Sequence, residues 1–129
     1  MSDRVCDVSY DPQVPCLVMR WRGYATTEQF RAANEEILAA IREREARKLL
    51  GDAREFTLIH GEDQRWLYRD WIPRAIAAGL RTCALVMPTA YFNRVAIETV
   101  TAEIDPSSLR VHFFEDAEVA RRWLRDVVD

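Results

Sequence analysis

The sequence predicts a single α/β domain over residues 1–129, built on a five-stranded mixed sheet with elements in the order β-β-α-β-α-β-α-β-α. Three observations predict this fold class. The chain has 129 residues, enough for one core and too few for two. Segments with strand periodicity alternate with helical segments of ten or more residues, as in sheets with parallel pairing. The continuous apolar run at residues 82–87 indicates a strand buried on both faces.

The first two strands are predicted to form an antiparallel pair. Apolar residues alternate with other residues around Val8 and again around Met19. Between these strands, Pro12 and Pro15 favour a turn, because proline fixes φ and cannot donate to a ladder. Strands joined by so short a connection pair in opposite directions.

An amphipathic helix is predicted next. Thr26 and Gln29 have the spacing of a capping box, which satisfies free N–H groups at a helix start. Apolar residues then recur at steps of three and four and form one stripe, at Phe30, Ala33, Ile37 and Ile41. The opposite face carries mixed charges, which is typical of a solvated surface.

Strands and helices then alternate to the end of the chain. Residues 49–53 are a short strand, and residues 62–78 have helical character that Pro73 should interrupt, because its ring removes a hydrogen bond. Gly79 is placed as the end of that helix. The later predicted elements are a strand over residues 82–87, a helix over 90–104, a strand over 110–114 and a final helix capped by Asp116.

Composition excludes several classes of protein. An apolar fraction of 49% and a charged fraction of 30% are those of a globular domain, and a net charge of −3 argues against a dedicated nucleic-acid binder. Cys6, Cys16 and Cys83 are odd in number and lack metal-ligand spacing, so buried thiols in a reducing compartment are expected. The N-terminal residues and the longest apolar stretch match neither a signal peptide nor a membrane span, which predicts a cytoplasmic protein.

Motifs for catalysis or cofactor binding are missing from the sequence. The four glycines are too scattered for a dinucleotide or phosphate loop, and His60 and His112 lack partners at zinc spacing. An enzymatic interpretation would make His60 a general base oriented by Asp52, near the edge where open α/β sheets bind ligands. Without a nucleophile or oxyanion donor, Asp52 is more simply a carboxylate that accepts backbone hydrogen bonds. We expect no catalytic residue, metal or cofactor.

Aromatic residues are dense around the second helix. Trp66 and Trp71 lie within it, and Tyr91 and Phe92 open the third helix. Five residues on a regular helix span about 140° of rotation, so the two tryptophans should not face one narrow seam of the core. Plain packing is one interpretation, and a cleft for an apolar ligand or a membrane-contacting patch is the other. The proline interruption would let residues 56–72 move as a lid.

Several segments share their order and spacing with a known family. They are Trp21-Arg22-Gly23-Tyr24, Leu49 to Arg54, Trp66-Leu67, Trp71-Ile72-Pro73, Ala78-Gly79-Leu80, Phe113-Phe114-Glu115-Asp116-Ala117, and Ala120 with Trp123-Leu124. Across residues 16–125 the chain thereby resembles the SpoIIAA-like members of the STAS superfamily. The resemblance implies a STAS-like α/β sandwich, similar also to the CRAL-TRIO lipid-transfer fold. It further implies a non-enzymatic role in binding a small hydrophobic ligand or a membrane.

The chain departs from the anti-sigma-factor antagonists of this superfamily in one respect. Those proteins carry an Asp-Ser pair after the third strand, where the serine is phosphorylated. The corresponding residues 57–62 contain no serine, and Thr57 supplies the one hydroxyl. A phosphate needs a hydroxyl to carry it, so a phosphorylation switch is not expected.

These observations predict a module that binds a small apolar or amphipathic ligand. A lipid-like ligand is one form of this prediction. The residues predicted to form the site are Trp66, Trp71, Tyr91 and Phe92 as an apolar wall, with Asp52 and Arg54 at a polar mouth. The alternative is a protein-interaction or regulatory module that forms a homodimer through the same aromatic surface, without a phosphoserine switch. No nucleic-acid partner and at most peripheral membrane contact are expected.

Overall fold

One five-stranded mixed sheet organises the fold in a computed structural model that describes residues 4–57 and 60–128. The strands lie in sequence order, β1 antiparallel to β2 and the others parallel. They are β1 (Cys6–Asp11), β2 (Cys16–Gly23), β3 (Lys48–Phe56), β4 (Thr82–Val86) and β5 (Arg110–Phe114). The helical elements are α1 (Thr27–Arg44), α2 (Gly61–Trp66), a π-helical turn (Leu67–Trp71), α3 (Ile72–Ala77), α4 (Tyr91–Thr101) and α5 (Ala117–Asp126). The predicted fold class is confirmed.

Helices cover the two faces of the sheet unequally. The larger core lies on one face, beneath α1, α4 and the helical segment that runs from α2 to α3. On the opposite face, α5 packs Ala120 and Leu124 against a smaller cluster that includes Val86. Because successive side chains of a strand point to opposite faces, Leu49 of β3 joins the larger core and Leu50 joins the smaller one.

The first helix forms where the sequence predicts it, because its start and its apolar stripe are both specified locally. The Thr26 hydroxyl accepts from the Gln29 N–H at 3.1 Å, and the Gln29 side chain accepts from the Thr26 N–H at 2.9 Å. This reciprocal pair is the predicted capping box. Phe30, Ile37 and Ile41 of the predicted stripe are buried against the sheet.

The helix predicted over residues 62–78 is one helical segment with a π-helical turn just before Pro73. The N–H of Ile72 donates to the carbonyl of Leu67, five residues back instead of four. Pro73 then lies in the first turn of α3, where its missing N–H costs little. Gly79 ends the segment with a φ of +118°, a conformation that favours glycine. The interruption and the end are both confirmed.

Two predicted boundaries are wrong by a few residues. The strand predicted over 49–53 continues to Phe56, because β2 stays paired with it as far as Gly23. The helix predicted over 90–104 ends at Thr101. The backbone N–H groups of Glu103 and Ile104 then donate to carbonyls three residues back, so the chain forms a tighter turn after the helix.

Replacement of Thr26 by alanine should lower the free energy of unfolding by about 1 kcal/mol, because it removes the capping oxygen. Urea denaturation followed by circular dichroism measures the loss. Thr99→Ala, at an exposed position of α4, is the matched control and should change the free energy by less than about 0.5 kcal/mol. Equal losses in the two variants would contradict a specific role of the cap.

Candidate functional site

A cavity of about 110 Å³ lies between the sheet and the helices that cover its larger core. The strands supply its floor, through Met19, Leu49, Ala53, Cys83, Leu85 and Val111. The helices supply most of its roof, through Phe30, Asn34, Leu67, Trp71, Ile97 and Val100. The described residues around the cavity include no charged side chain. Its size approaches that of an apolar cavity of about 150 Å³ that holds a benzene ring.

The centre of the floor is a glycine. Gly51 pairs in register with Met19 on one side and with Leu85 on the other. A Cβ atom at Gly51 would lie 2.7 Å from both Leu85 Cδ2 and Met19 Cε, so these two side chains close over the position. A larger residue at 51 would displace their ends, and both side chains line the cavity.

An aromatic cluster forms one part of the cavity wall. The ring of Trp21 lies 5.4 Å from that of Phe30 and 5.0 Å from that of Phe56. All three residues are buried and line the cavity. Phe56 is not among the predicted site residues, because it lies beyond the predicted end of its strand. An aromatic residue so soon after that strand was the feature of the sequence that could have indicated a longer strand.

Trp71 attaches the π-helical turn to α1. Its indole N–H donates to the backbone carbonyl of Asn34 at 2.6 Å, and its ring is buried in the cavity wall. Trp66 also meets α1, edge-on to Phe30 at 6.1 Å, with the Arg31 guanidinium 5.2 Å from its ring centroid. Both tryptophans meet α1, but Trp66 is half-buried and does not line the cavity, so the two do not share one narrow seam of the core.

Tyr91 and Phe92 lie outside the cavity. They are 72% and 74% exposed, and their rings meet edge-on at 5.5 Å. With Val95 on the next turn they form an exposed apolar patch at the start of α4. The structure therefore does not bring the four predicted wall residues together. Of those four, Trp71 lines the cavity. Tyr91 and Phe92 do not, because α4 turns Val100 toward the cavity and its own first residues toward solvent.

Asp52 and Arg54 lie in a separate surface pocket of about 240 Å³, together with Arg20 and Glu55. Trp21 borders both this pocket and the cavity. The Asp52 carboxylate accepts from Arg54 Nε at 3.0 Å and from Nη2 at 2.7 Å. Burial alone would raise the pKa of Asp52, but the hydrogen bonds from Arg54 outweigh it and hold the pKa below its ordinary value. The two residues form an ion pair beside the cavity.

His60 has a partner other than Asp52. Its Nε2 atom is hydrogen-bonded to the Tyr24 hydroxyl, and both residues are exposed. The enzymatic interpretation needs Asp52 to orient His60, and both carboxylate oxygens of Asp52 are instead bonded by Arg54. This geometry does not support the enzymatic interpretation.

The segment that corresponds to the phosphorylated one is described in part. Thr57 is exposed, and its N–H donates to the Gly23 carbonyl at 2.9 Å. Leu58 and Ile59 lie outside the described residues. The lack of a phosphorylation switch stays a prediction.

Asp63 in the first turn of α2 has a buried carboxylate that the sequence analysis did not single out. It is 1% exposed, and its Oδ2 accepts from the Thr27 hydroxyl at 3.3 Å. Its Oδ1 has no hydrogen-bond partner among residues 4–57 and 60–128. The bond from Thr27 to Asp63 joins the start of α1 to the start of α2.

The three cysteines are free and buried. Burial raises the pKa of each thiol to about 12, so Cys6, Cys16 and Cys83 are protonated at neutral pH and poor nucleophiles. Within the described ranges, no group of three or more His, Cys, Asp and Glu residues is placed to hold a metal ion. Nor does any helix there have the length and hydropathy needed to cross a bilayer.

Comparison with known proteins identifies one family. The model of the family described as SpoIIAA-like matches residues 16–125. That range runs from the start of β2 into α5 and includes every residue named above as lining the cavity. No curated protein matches the chain.

Trp71→Phe should destabilise the fold more than Trp66→Phe, by about 1 kcal/mol. Both changes replace an indole by a smaller ring, but the change at 71 also removes the buried hydrogen bond that the indole donates to the Asn34 carbonyl. Urea denaturation of the two variants gives the difference directly. Equal stabilities would contradict a structural role for this hydrogen bond.

Arg54→Ala should raise the pKa of Asp52, because burial then acts without the opposing hydrogen bonds. In the native protein the lowered pKa means that this pair stabilises the fold above the unfolded pKa of the carboxyl. The contribution is lost as the pH falls through the folded pKa. Carbon-detected NMR titration of the carboxyl measures the shift. Arg22→Ala is the control, since Arg22 pairs with Asp7 and should leave the titration of Asp52 unchanged.

Proposed function

The chain belongs to the SpoIIAA-like family, and on that premise we propose that it is a non-enzymatic binding module that holds a small apolar or amphipathic ligand. The ligand occupies the cavity between the sheet and the helices. This proposal rests on one observation: the domain contains a cavity of about 110 Å³ whose lining is apolar.

The chemistry of the lining favours an uncharged ligand. Water needs two to four polar partners to be held in a cavity, and this lining is almost wholly apolar. An apolar ligand gains the dispersion contacts that such walls offer. A carboxylate or ammonium group would lose its hydration without meeting an opposite charge there. Any charged end of an amphipathic ligand therefore stays outside the cavity.

The size of the cavity favours one ring or a short chain. A long acyl chain, as in a lipid-like ligand, needs the segment from α2 to the π-helical turn to move away from α1. The bond between Trp71 and Asn34 opposes this movement. Faster hydrogen exchange in residues 61–72 than in α1 would support such a lid, and equal exchange would speak against it.

We place this binding module in the cytoplasm, with membrane contact at most peripheral. Three free buried thiols suit a reducing compartment. A net charge of −3 gives no support to nucleic acid as the partner.

The cavity predicts that Gly51→Ala weakens ligand binding. The new methyl group displaces the ends of the Met19 and Leu85 side chains into the cavity. Because both ends are flexible, the free energy of unfolding of the variant should stay within about 1 kcal/mol of the native value. Titration with toluene, followed by tryptophan fluorescence, to which Trp21 and Trp71 of the cavity wall contribute, should show affinity at least severalfold lower than in the native protein.

Gly61→Ala is the matched control, because a Cβ there meets nothing closer than an Arg65 nitrogen at 3.7 Å. It should bind toluene as the native protein does. Dodecanoate in a parallel titration tests the lipid-like form of the proposal, and we expect it to bind more weakly than toluene. Equal toluene affinity in the native protein and both variants would place the binding site elsewhere.

A second candidate function is homodimerisation through the start of α4, with the apolar patch of Tyr91, Phe92 and Val95 as its surface. The support for it is the exposure of two adjacent aromatic rings, at 72% and 74%. Aromatic side chains are common at the centre of interfaces, and two-fold dimers are the commonest oligomers. A second copy presents the same uncharged patch.

Tyr91→Asp should convert such a dimer into a monomer, because it places a charge in the apolar contact. Light scattering after size-exclusion chromatography reads the mass. Val119→Asp is the control, since Val119 is also exposed, at 45%, but lies on α5 across the sheet. A native protein that is monomeric at every concentration would remove this second candidate.

A further inference from the structure

The roof of the cavity contains a carboxamide at a position where the helix pattern calls for an apolar residue. Asn34 lies on α1 one turn after Phe30 and one turn before Leu38, in the middle of the buried stripe. It is 3% exposed and lines the cavity. Leucine there would continue the stripe without the cost of burying a polar group. Departures from such local rules are concentrated at functional sites.

The hydrogen-bonding capacity of this side chain is only partly used. Its Nδ2 donates one hydrogen bond, to the Phe30 carbonyl at 2.9 Å. An amide can make about four such bonds, two as donor through nitrogen and two as acceptor through oxygen. Among the described residues, the Asn34 side chain has no other hydrogen-bond partner. One N–H and the Oδ1 acceptor remain for a ligand.

The nitrogen and oxygen donors of the other side chains around the cavity already use their hydrogens. The indole N–H of Trp71 donates to the Asn34 backbone, and that of Trp21 points to Met19 Sδ at 3.3 Å. The Thr101 hydroxyl lies 3.0 Å from the carbonyl of Ile97. Asn34 is therefore the lining residue best able to donate to and accept from the same ligand.

We infer that Asn34 sets the specificity of the cavity, which selects small neutral ligands that carry one hydroxyl or carbonyl group on an apolar body, such as a phenol. This inference rests on the proposed function and names its ligand class. The apolar body fills the space between the sheet and the helices, and the polar group bonds the carboxamide. A hydrocarbon leaves Asn34 unpaired, and a carboxylate finds no cation.

The test compares phenol with toluene, which have the same ring and differ in one substituent. Without a polar partner, a buried hydroxyl costs enough to weaken binding by about tenfold or more. Native protein should therefore bind phenol at least as tightly as toluene. In Asn34→Leu, the ratio of the affinity for phenol to the affinity for toluene should fall at least about tenfold. Benzoate should bind neither protein at the cavity.

Asn34→Ser is measured in parallel, because it shortens the side chain but still provides a polar group, a hydroxyl, that can donate and accept. Circular dichroism checks that both variants fold. We expect the preference of Asn34→Ser for phenol to lie between those of the native protein and Asn34→Leu. If toluene binds and the ratio of the two affinities is the same in all three proteins, the role of Asn34 is overturned while the cavity remains a binding site. If neither compound binds the native protein, the proposed function fails, and this inference with it.

Discussion

The hydrogen bond from the Trp71 indole to the Asn34 carbonyl is the contact on which the arrangement of the site depends. It connects the π-helical turn to α1, and so holds two separate parts of the chain over the same face of the sheet. Because it joins a side chain to a backbone carbonyl, it fixes the distance between the two helical segments as well as the ring's orientation. The cavity lies beneath that junction, and both residues line it.

The floor beneath the junction combines small residues with flexible ones. Ala53 of β3 lines the cavity, and the side chains of Met19 and Leu85 close over Gly51. The roof carries the large rings of Phe30 and Trp71. Protein interiors are ordinarily filled to crystal-like density, so a space of this kind between a sheet and its helices is a candidate binding site.

Charge is organised so that it stays out of the cavity. Asp52 and Arg54 form an ion pair in the surface pocket, and Trp21 borders both that pocket and the apolar space. The polar element of the cavity is instead the neutral carboxamide of Asn34. In the proposed function, a lining of this kind discriminates between ligands through hydrogen bonding and size, and charge is excluded by the cost of burying it.

Periodicity, capping and φ restrictions act between near neighbours, so several local features could be predicted from the sequence. They are the order of strands and helices, the cap at Thr26, the interruption before Pro73 and the end at Gly79. The sequence also placed Trp71 in a candidate cleft. It did not show that the rings at 91 and 92 face outward or that Asp52 has a pocket of its own, because both follow from tertiary packing. A π-helical turn changes the direction of every side chain that follows it in a helix. The contacts that a side chain makes also depend on elements distant in the sequence.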